Sequence, residues 1–387
     1  MELPPELDGV LEEVADRHGT PAYVTSLETV RRRYEELRET LPVDRVQYAA
    51  KANTNPRVLE TIAELDGALD AVSHGEVEAA LRAGFDADDV MYTGVNPSDD
   101  EIRSVAEAGA TVNADCMSVV DRLADHHDGE MGVRVNPDVG AGHHDKVVTG
   151  GEGSKFGVPQ DSVEQVFDQA ASLGLEPVGL HAHVGSGVLD HEELLEAAEA
   201  VFSIARRLEA NGRALDYVDV GGGLGVPYRP GDHRLDIEAY AAGLEDAYDL
   251  DADLVVEPGR YVVAESTVLL TRVTTRKPGF AGVDAGMNTL LRPALYDSYH
   301  HVSNLSRSAP VERVDVVGPI CESGDVLAED RELPAREGDL LAVHTAGAYG
   351  AVMASRYNSR GLPAEVVVDG EDVEVVRERE TPGDFLL

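Results

Sequence analysis

The sequence predicts an α/β protein: a (β/α)8, TIM-like barrel over residues 27–275 and a second, β-rich domain formed by residues 1–26 and 276–387. Three observations carry the prediction. Eight short apolar runs alternate with longer amphipathic ones. The chemically conspicuous residues Lys51, Ser73, Asn136, His183, Gly221 and Glu257 each follow a different run, as catalytic groups do at the C-terminal strand ends of a barrel. An open doubly wound sheet would gather them at one switch point instead. Beyond residue 275 the texture changes to β-branched runs.

The barrel strands are expected at Val46–Ala50, Ala68–Val72, Val90–Tyr92, Thr111–Val112, Met131–Val135, Pro177–His181, Tyr217–Val220 and Leu254–Val256. Helical patterns lie between them. In Asp161–Gly174 the apolar residues Val163, Val166, Phe167, Ala170 and Leu173 recur at helical spacing, with Asp161-Ser162 as a start and Gly174 as a stop. Glu192–Gly212 repeats the pattern from Leu194 to Leu208 and ends at Asn211-Gly212. In the second domain Phe280–Val283, Val311–Val317, Leu340–Val343, Val366–Val368 and Val373–Val376 read as strands. Asp369-Gly370 is a hairpin-turn signal between the last two. The N-terminal segment is expected to complete this β-sandwich or β-barrel.

The net charge is −41, from 73 acidic and 32 basic residues. Such a surface repels nucleic-acid phosphates and anionic membranes, so neither is an expected partner. The acids are scattered along the chain rather than gathered in one stretch. They read as a solvated shell suited to a salt-rich, halophilic cytoplasm, where ionic strength screens self-repulsion. Two cysteines, Cys116 and Cys321, provide no disulfide framework. The first residues have no basic-then-apolar leader pattern. No apolar run approaches the roughly eighteen residues of a membrane span. The expected location is cytoplasmic.

Only four of the 32 basic residues are lysines: Lys51, Lys146, Lys155 and Lys277. Lys51 ends the apolar run Val46-Gln47-Tyr48-Ala49-Ala50. Arginine stays protonated near neutral pH, whereas a lysine amine in apolar surroundings becomes a nucleophile able to form a Schiff base. A surface lysine closing a strand is the plain alternative. Gly221-Gly222-Gly223 follows a strand and offers backbone N–H groups to a phosphate, although a simple turn would explain it as well. Glu257-Pro258-Gly259-Arg260 closes the eighth strand, where a carboxylate can keep a pyridine nitrogen protonated or serve in a structural salt bridge. His183 can lay its ring on a cofactor face or merely pack at a strand end. Together these parts are what pyridoxal 5'-phosphate needs. His181 and His183 share a strand face, but no third metal ligand is visible in the sequence, so no metal is expected. The doublets His126-His127, His143-His144 and His300-His301 read as solvated loop residues.

The chain resembles the diaminopimelate decarboxylases, within the alanine-racemase-like, fold-type III pyridoxal-phosphate enzymes. The resemblance rests on Tyr48-Ala49-Ala50-Lys51-Ala52-Asn53, Val72-Ser73-His74-Gly75-Glu76, Arg134-Val135-Asn136-Pro137, Thr149-Gly150, Lys155-Phe156-Gly157 and the histidine, glycine and Glu257–Arg260 segments. It continues through Asp284–Asn288, Arg292-Pro293-Ala294-Leu295-Tyr296, Cys321-Glu322-Ser323-Gly324-Asp325, Gly347-Ala348-Tyr349-Gly350 and Tyr357-Asn358. His74 and Gly187 depart from the family pattern, which usually has Gly and Gln there.

The resemblance implies pyridoxal-phosphate-dependent conversion of meso-2,6-diaminopimelate to L-lysine and CO2. It also implies a head-to-tail homodimer whose active sites are shared across the interface. Lys51 would form the Schiff base, His183 would stack on the ring and Glu257 would pair with the ring nitrogen. Ser186, Gly221, Gly222, Gly223, Gly259 and Tyr349 would hold the phosphate. Arg260 and Arg292 would grip the substrate's distal carboxylate. Glu322 would take its ammonium, with Tyr296 and Tyr349 adding contacts. Cys321 from the partner would protonate Cα. A carboxynorspermidine or ornithine/arginine decarboxylase is the alternative enzyme, and a catalytically silent cofactor-binding regulator the alternative class. Glu322 and the Arg292–Tyr296 segment favour diaminopimelate over ornithine.

Overall fold

Eight parallel strands close into a ring. In chain order they are Arg45–Ala49, Ala68–Ala71, Val90–Tyr92, Thr111–Ala114, Glu130–Asn136, Glu176–His181, Tyr217–Asp219 and Asp253–Val256. Each pairs with the next, and the last pairs with the first through Val255–Arg45 and Val256–Val46. The expected barrel is therefore present. The computed structural model describes residues 3–138, 141–142, 155–183, 185–306 and 310–386. The segment Thr149-Gly150, the pair His143-His144 and Lys146 lie outside the described residues.

The strands are buried on both faces, as in Ala68–Ala71, Val90–Tyr92 and Leu254–Val256, because helices cover the outside and side chains fill the inside. The covering helices are amphipathic. Val163–Ser172 buries Val163, Val166, Phe167 and Ala170 and stops where Gly174 takes φ +91°. There the Leu175 N–H donates to Ala170 O at 3.1 Å, which ties off the helix end. His191–Ala210 buries the expected Leu194, Ala198, Val201, Phe202, Ala205 and Leu208. The fourth strand runs two residues beyond its apolar core. Asn113 extends it, 1% exposed, because its Oδ1 accepts from Tyr217 Oη at 2.9 Å inside the barrel.

Two compact units partition the chain. One comprises Arg33–Val226 and Arg234–Tyr261, and the other Met1–Arg32, Pro227–His233 and Val262–Leu387. The second unit is built on a nine-stranded mixed sheet. Its central strand, Thr267–Lys277, pairs antiparallel with Ala22–Ser26, which pairs parallel with Ala364–Asp369. Alternate residues divide between two cores. Tyr23, Leu269, Leu341 and Val343 face one way. Val24, Val268, Leu270, Leu340 and Ala342 face the other, where Leu7, Leu11 and Val14 from the N-terminal segment cover them. Among the described residues the sheet stays open, with Val326–Leu333 and Asp372–Arg377 at the ends of its main path. No helix among the described residues is long and apolar enough to cross a membrane.

Candidate active site

The barrel unit gathers a charged cluster at the C-terminal ends of its strands. Lys51 sits in the 3-10 turn Ala50–Ala52 directly after the first strand. Its Nζ donates to Asp70 Oδ2, and Asp70 is wholly buried on the neighbouring strand. Thr93 Oγ1 donates to Asp70 Oδ1 at 2.5 Å. Arg134, 6% exposed, donates to Thr93 O at 3.1 Å. Burial depresses the pKa of that guanidinium, and Glu257, Asp70, Asp115 and Asp219 act against the loss.

Deeper in the same unit lie His181, Asp219 and Glu257, with ligand atoms all within 4.8 Å of one another. The sequence shows no third partner for His181; the fold brings two carboxylates to it, from the ends of two other strands. His181 Nε2 is 3.2 Å from Glu257 Oε1. The Gly221 N–H donates to Asp219 Oδ1 at 2.7 Å, which ties the glycine turn to its own strand. Two carboxylates in so dry a place cannot both stay ionised. Burial raises the Asp219 pKa well above the usual carboxylate range, and the Glu257 charge adds to the rise. Burial acts in the same direction on Glu257, but His181, His183 and Lys51 outweigh it and hold Glu257 well below that range. Glu257 carries the charge and Asp219 the proton.

His183 follows the sixth strand. Its Nδ1 accepts from the Gly222 N–H at 3.3 Å and lies 3.7 Å from Glu257 Oε2. Burial lowers the His183 pKa, Glu257 works against this and Lys51 adds to it. The ring is therefore neutral. The glycine turn is packed without spare room: a Cβ on Gly222 would lie 2.2 Å from Glu257 O. Only a residue without a side chain lets this turn approach the eighth strand. Arg260, 5% exposed, donates from Nη2 to Ser186 Oγ at 2.9 Å. A Cβ on Gly259 would lie 3.1 and 3.0 Å from the Cβ atoms of Ala49 and Ala52, which bracket Ala50-Lys51 in the chain.

The other unit carries the remaining expected residues. Arg292, 2% exposed, opens the short helix Arg292–Tyr296. Its Nη1 donates to His300 Nε2 at 3.1 Å, and His300 Nδ1 donates to His344 O at 3.0 Å. That chain fixes the His300 tautomer, since the ring must accept from Arg292 on one nitrogen and donate from the other. The Arg292 guanidinium lies 4.8 Å from the Tyr228 ring centroid. The expectation of a solvated His300-His301 pair is thus corrected: His300 is fully buried. Tyr349 adopts φ +57°, a costly conformation for an aromatic residue. Cys321 and Glu322 are exposed; Asn358 Nδ2 reaches Cys321 Sγ at 3.5 Å, and Tyr357 Oη donates to Glu322. Asp325 shapes this loop by accepting from the Ile320 and Met287 N–H groups at 2.6 and 2.5 Å.

Sequence reasoning assigned no role to Asp70, Asp219, His181 or His300. The available signal was polarity out of place: Asp70 and Asp219 interrupt apolar strand runs, where an ionisable group is costly unless it has a task.

These residues fit pyridoxal phosphate. Glu257 is 1% exposed and its Oε1 has no well-aligned hydrogen bond, which leaves a buried anion for a protonated ring nitrogen. Lys51 supplies an amine for the aldehyde, and the glycine turn supplies close backbone approach. The class of protein follows, a pyridoxal-phosphate-dependent decarboxylase, and the family model "Pyridoxal-dependent decarboxylase, pyridoxal binding domain" matches residues 27–264. A diaminopimelate decarboxylase of Methanothermobacter thermautotrophicus is 47% identical, over 97% of this chain and 92% of that protein. The crystal structure of the Helicobacter pylori diaminopimelate decarboxylase complexed with L-lysine superimposes with a TM-score of 0.93 at 35% identity, covering 97% of this chain and 98% of that one. A Vibrio vulnificus lysine/ornithine decarboxylase shares the fold, with a TM-score of 0.83 at 23% identity over 95% of this chain and 99% of that one. The chain belongs to the diaminopimelate decarboxylase family.

Proposed function

We propose that this chain decarboxylates meso-2,6-diaminopimelate to L-lysine and CO2. The observation that carries the reading is the buried Arg292 guanidinium, held by His300 and stacked on Tyr228. A simple diamine precursor ends in a cation at its distal end, which a buried guanidinium would repel, whereas diaminopimelate has a distal carboxylate. Arg260 is the second guanidinium for that group, oriented by Ser186. Glu322 takes the distal ammonium, and Tyr296 and Tyr349 add hydroxyl contacts.

When bound, pyridoxal phosphate supplies a conjugated ring that accepts the electron pair of the breaking Cα–carboxylate bond. Lys51 would hold the cofactor through Nζ, the amine suited to its aldehyde. Glu257 keeps the ring nitrogen's proton in place, because His181 keeps Glu257 anionic. Neutral His183 would pack against the cofactor ring without competing for that charge. Ser186, Gly221, Gly222, Gly223, Gly259 and Tyr349 hold the phosphate. Carbon dioxide leaves uncharged, so one proton must return to Cα. Cys321 of a second copy delivers it from Sγ, in a homodimer with shared active sites.

The enzyme works in a salt-rich cytoplasm, where screening offsets the repulsion of its −41 charge; added potassium chloride is expected to raise its melting temperature. The activity test is CO2 release from meso-diaminopimelate, ornithine, arginine and carboxynorspermidine at high salt, with and without pyridoxal phosphate. Cofactor-dependent release from diaminopimelate above all others is expected. Faster turnover of any competitor would overturn the assignment.

A further inference from the structure

In a chain with more than two acids for each base, two guanidinium groups converge on one aromatic ring. Arg229 lies 4.5 Å and Arg331 3.9 Å from the centroid of the same Tyr299 ring. Neither side chain forms an ion pair among the described residues. Arg331 has acidic neighbours in sequence, but Asp330 is taken by Arg313, whose Nη2 donates to it at 2.8 Å. A bulge in the strand pairing between Val314 and Val316, with Asp330 at φ +54°, interrupts the alternation just before Arg331.

The three side chains line a cavity of about 270 Å3, together with Pro293, Asp297, Ser298 and residues 326–330, so the acids Asp297, Glu329 and Asp330 share its wall. Ser298 Oγ is buried there without a hydrogen-bond partner, and so is Arg331 Nε. Orphaned buried donors are rare and costly unless something satisfies them. Two like charges on one ring are costly as well; Arg229 helps burial to depress the Arg331 pKa. One occupant relieves both costs.

We infer that this cavity binds a compact oxyanion carrying two negative charges, such as inorganic phosphate or a short dicarboxylate. The guanidinium groups of Arg229 and Arg331 would hold its oxygens from two sides, and the Ser298 hydroxyl would donate a further bond. The volume admits such an ion and excludes a nucleotide. The site is separate in its residues from the cofactor cradle and from Arg292, so it is a second ligand site of the enzyme.

The test is calorimetric titration of the holoenzyme with inorganic phosphate and, separately, succinate, at constant ionic strength set with potassium chloride. One saturable site per chain is expected for at least one anion. Arg229→Gln and Arg331→Gln are each expected to weaken it at least tenfold, and Ser298→Ala, which keeps both charges, to weaken it several-fold. Arg292→Lys is expected to leave the isotherm unchanged, which separates this cavity from the substrate carboxylate site. Absence of saturable binding by either anion overturns the inference, and this is the outcome if an acidic side chain of a second copy fills the cavity. An isotherm unchanged in both arginine variants overturns it too.

Discussion

His181 Nε2 stands 3.2 Å from Glu257 Oε1, and neither side chain reaches solvent. Beside them, Asp219 keeps its proton because burial and the Glu257 charge both oppose its ionisation. Two buried carboxylates of similar chemistry therefore hold opposite protonation states, as groups that divide acid and base duties do.

That division predicts different outcomes for two isosteric substitutions. Asn at position 219 reproduces the protonated acid, accepting from the Gly221 N–H and offering a donor toward Glu257. Asp219→Asn is expected to fold and to retain most activity, whereas Glu257→Gln should lose about 10²-fold or more in kcat, the scale of a lost electrostatic stabiliser. The sign of the pH effect follows from the raised Asp219 pKa. Its contribution is intact below the unfolded value of 3.8 and is lost as pH rises through the folded value. The urea midpoint of Asp219→Asn should thus match wild type in acid and exceed it increasingly above about pH 4. A constant gap at all pH values would show that Asp219 is ionised.

Lys51→Arg keeps a cation for Asp70 but removes the amine nucleophile. The variant is expected to fold with near-native stability and to show no near-visible absorbance from covalently held cofactor and no turnover. Absorbance spectra after desalting check this, and a retained band would refute the role of Lys51.

Gly222→Ala would push a methyl group to within 2.2 Å of Glu257 O. The turn or the strand must give way, at a cost of about 1–3 kcal/mol. Thermal melts with and without pyridoxal phosphate should show a lower melting temperature and weaker cofactor stabilisation. An unchanged cofactor affinity would separate this turn from the phosphate.

Arg292→Lys preserves the charge and loses the planar fork that His300 orients. Hydrogen bonds to charged groups are each worth about 1.5–3 kcal/mol, so kcat/KM for diaminopimelate is expected to fall roughly 10–100-fold. Any residual turnover of ornithine, which has no distal carboxylate, should not change. Steady-state kinetics on both substrates decide the matter.

The barrel was legible because each strand is an apolar run sealed on both faces, and each helix a run of 3.6-residue period. Thr267–Lys277, the central strand of the other unit, was not. Its Thr-Arg-Val-Thr-Thr-Arg stretch shows no apolar alternation, and its pairing with Ala22–Ser26 comes from a segment more than 240 residues earlier. Val326–Leu333 has the composition of a helix, Leu-Ala-Glu-Asp-Arg-Glu-Leu, and becomes a strand only through Glu312–Val317. Strand preference depends on what lies alongside.

Residue type alone determined which groups can do the chemistry: one lysine where arginine would be inert, one carboxylate at a strand end, three glycines with no side chains to obstruct an approach. Their reactivity was a different matter. Whether Glu257 is charged, Asp219 protonated and His183 neutral depends on which distant side chains share the same dry volume. Protonation follows local field and hydration, and closure of the barrel creates both by bringing the strand ends together.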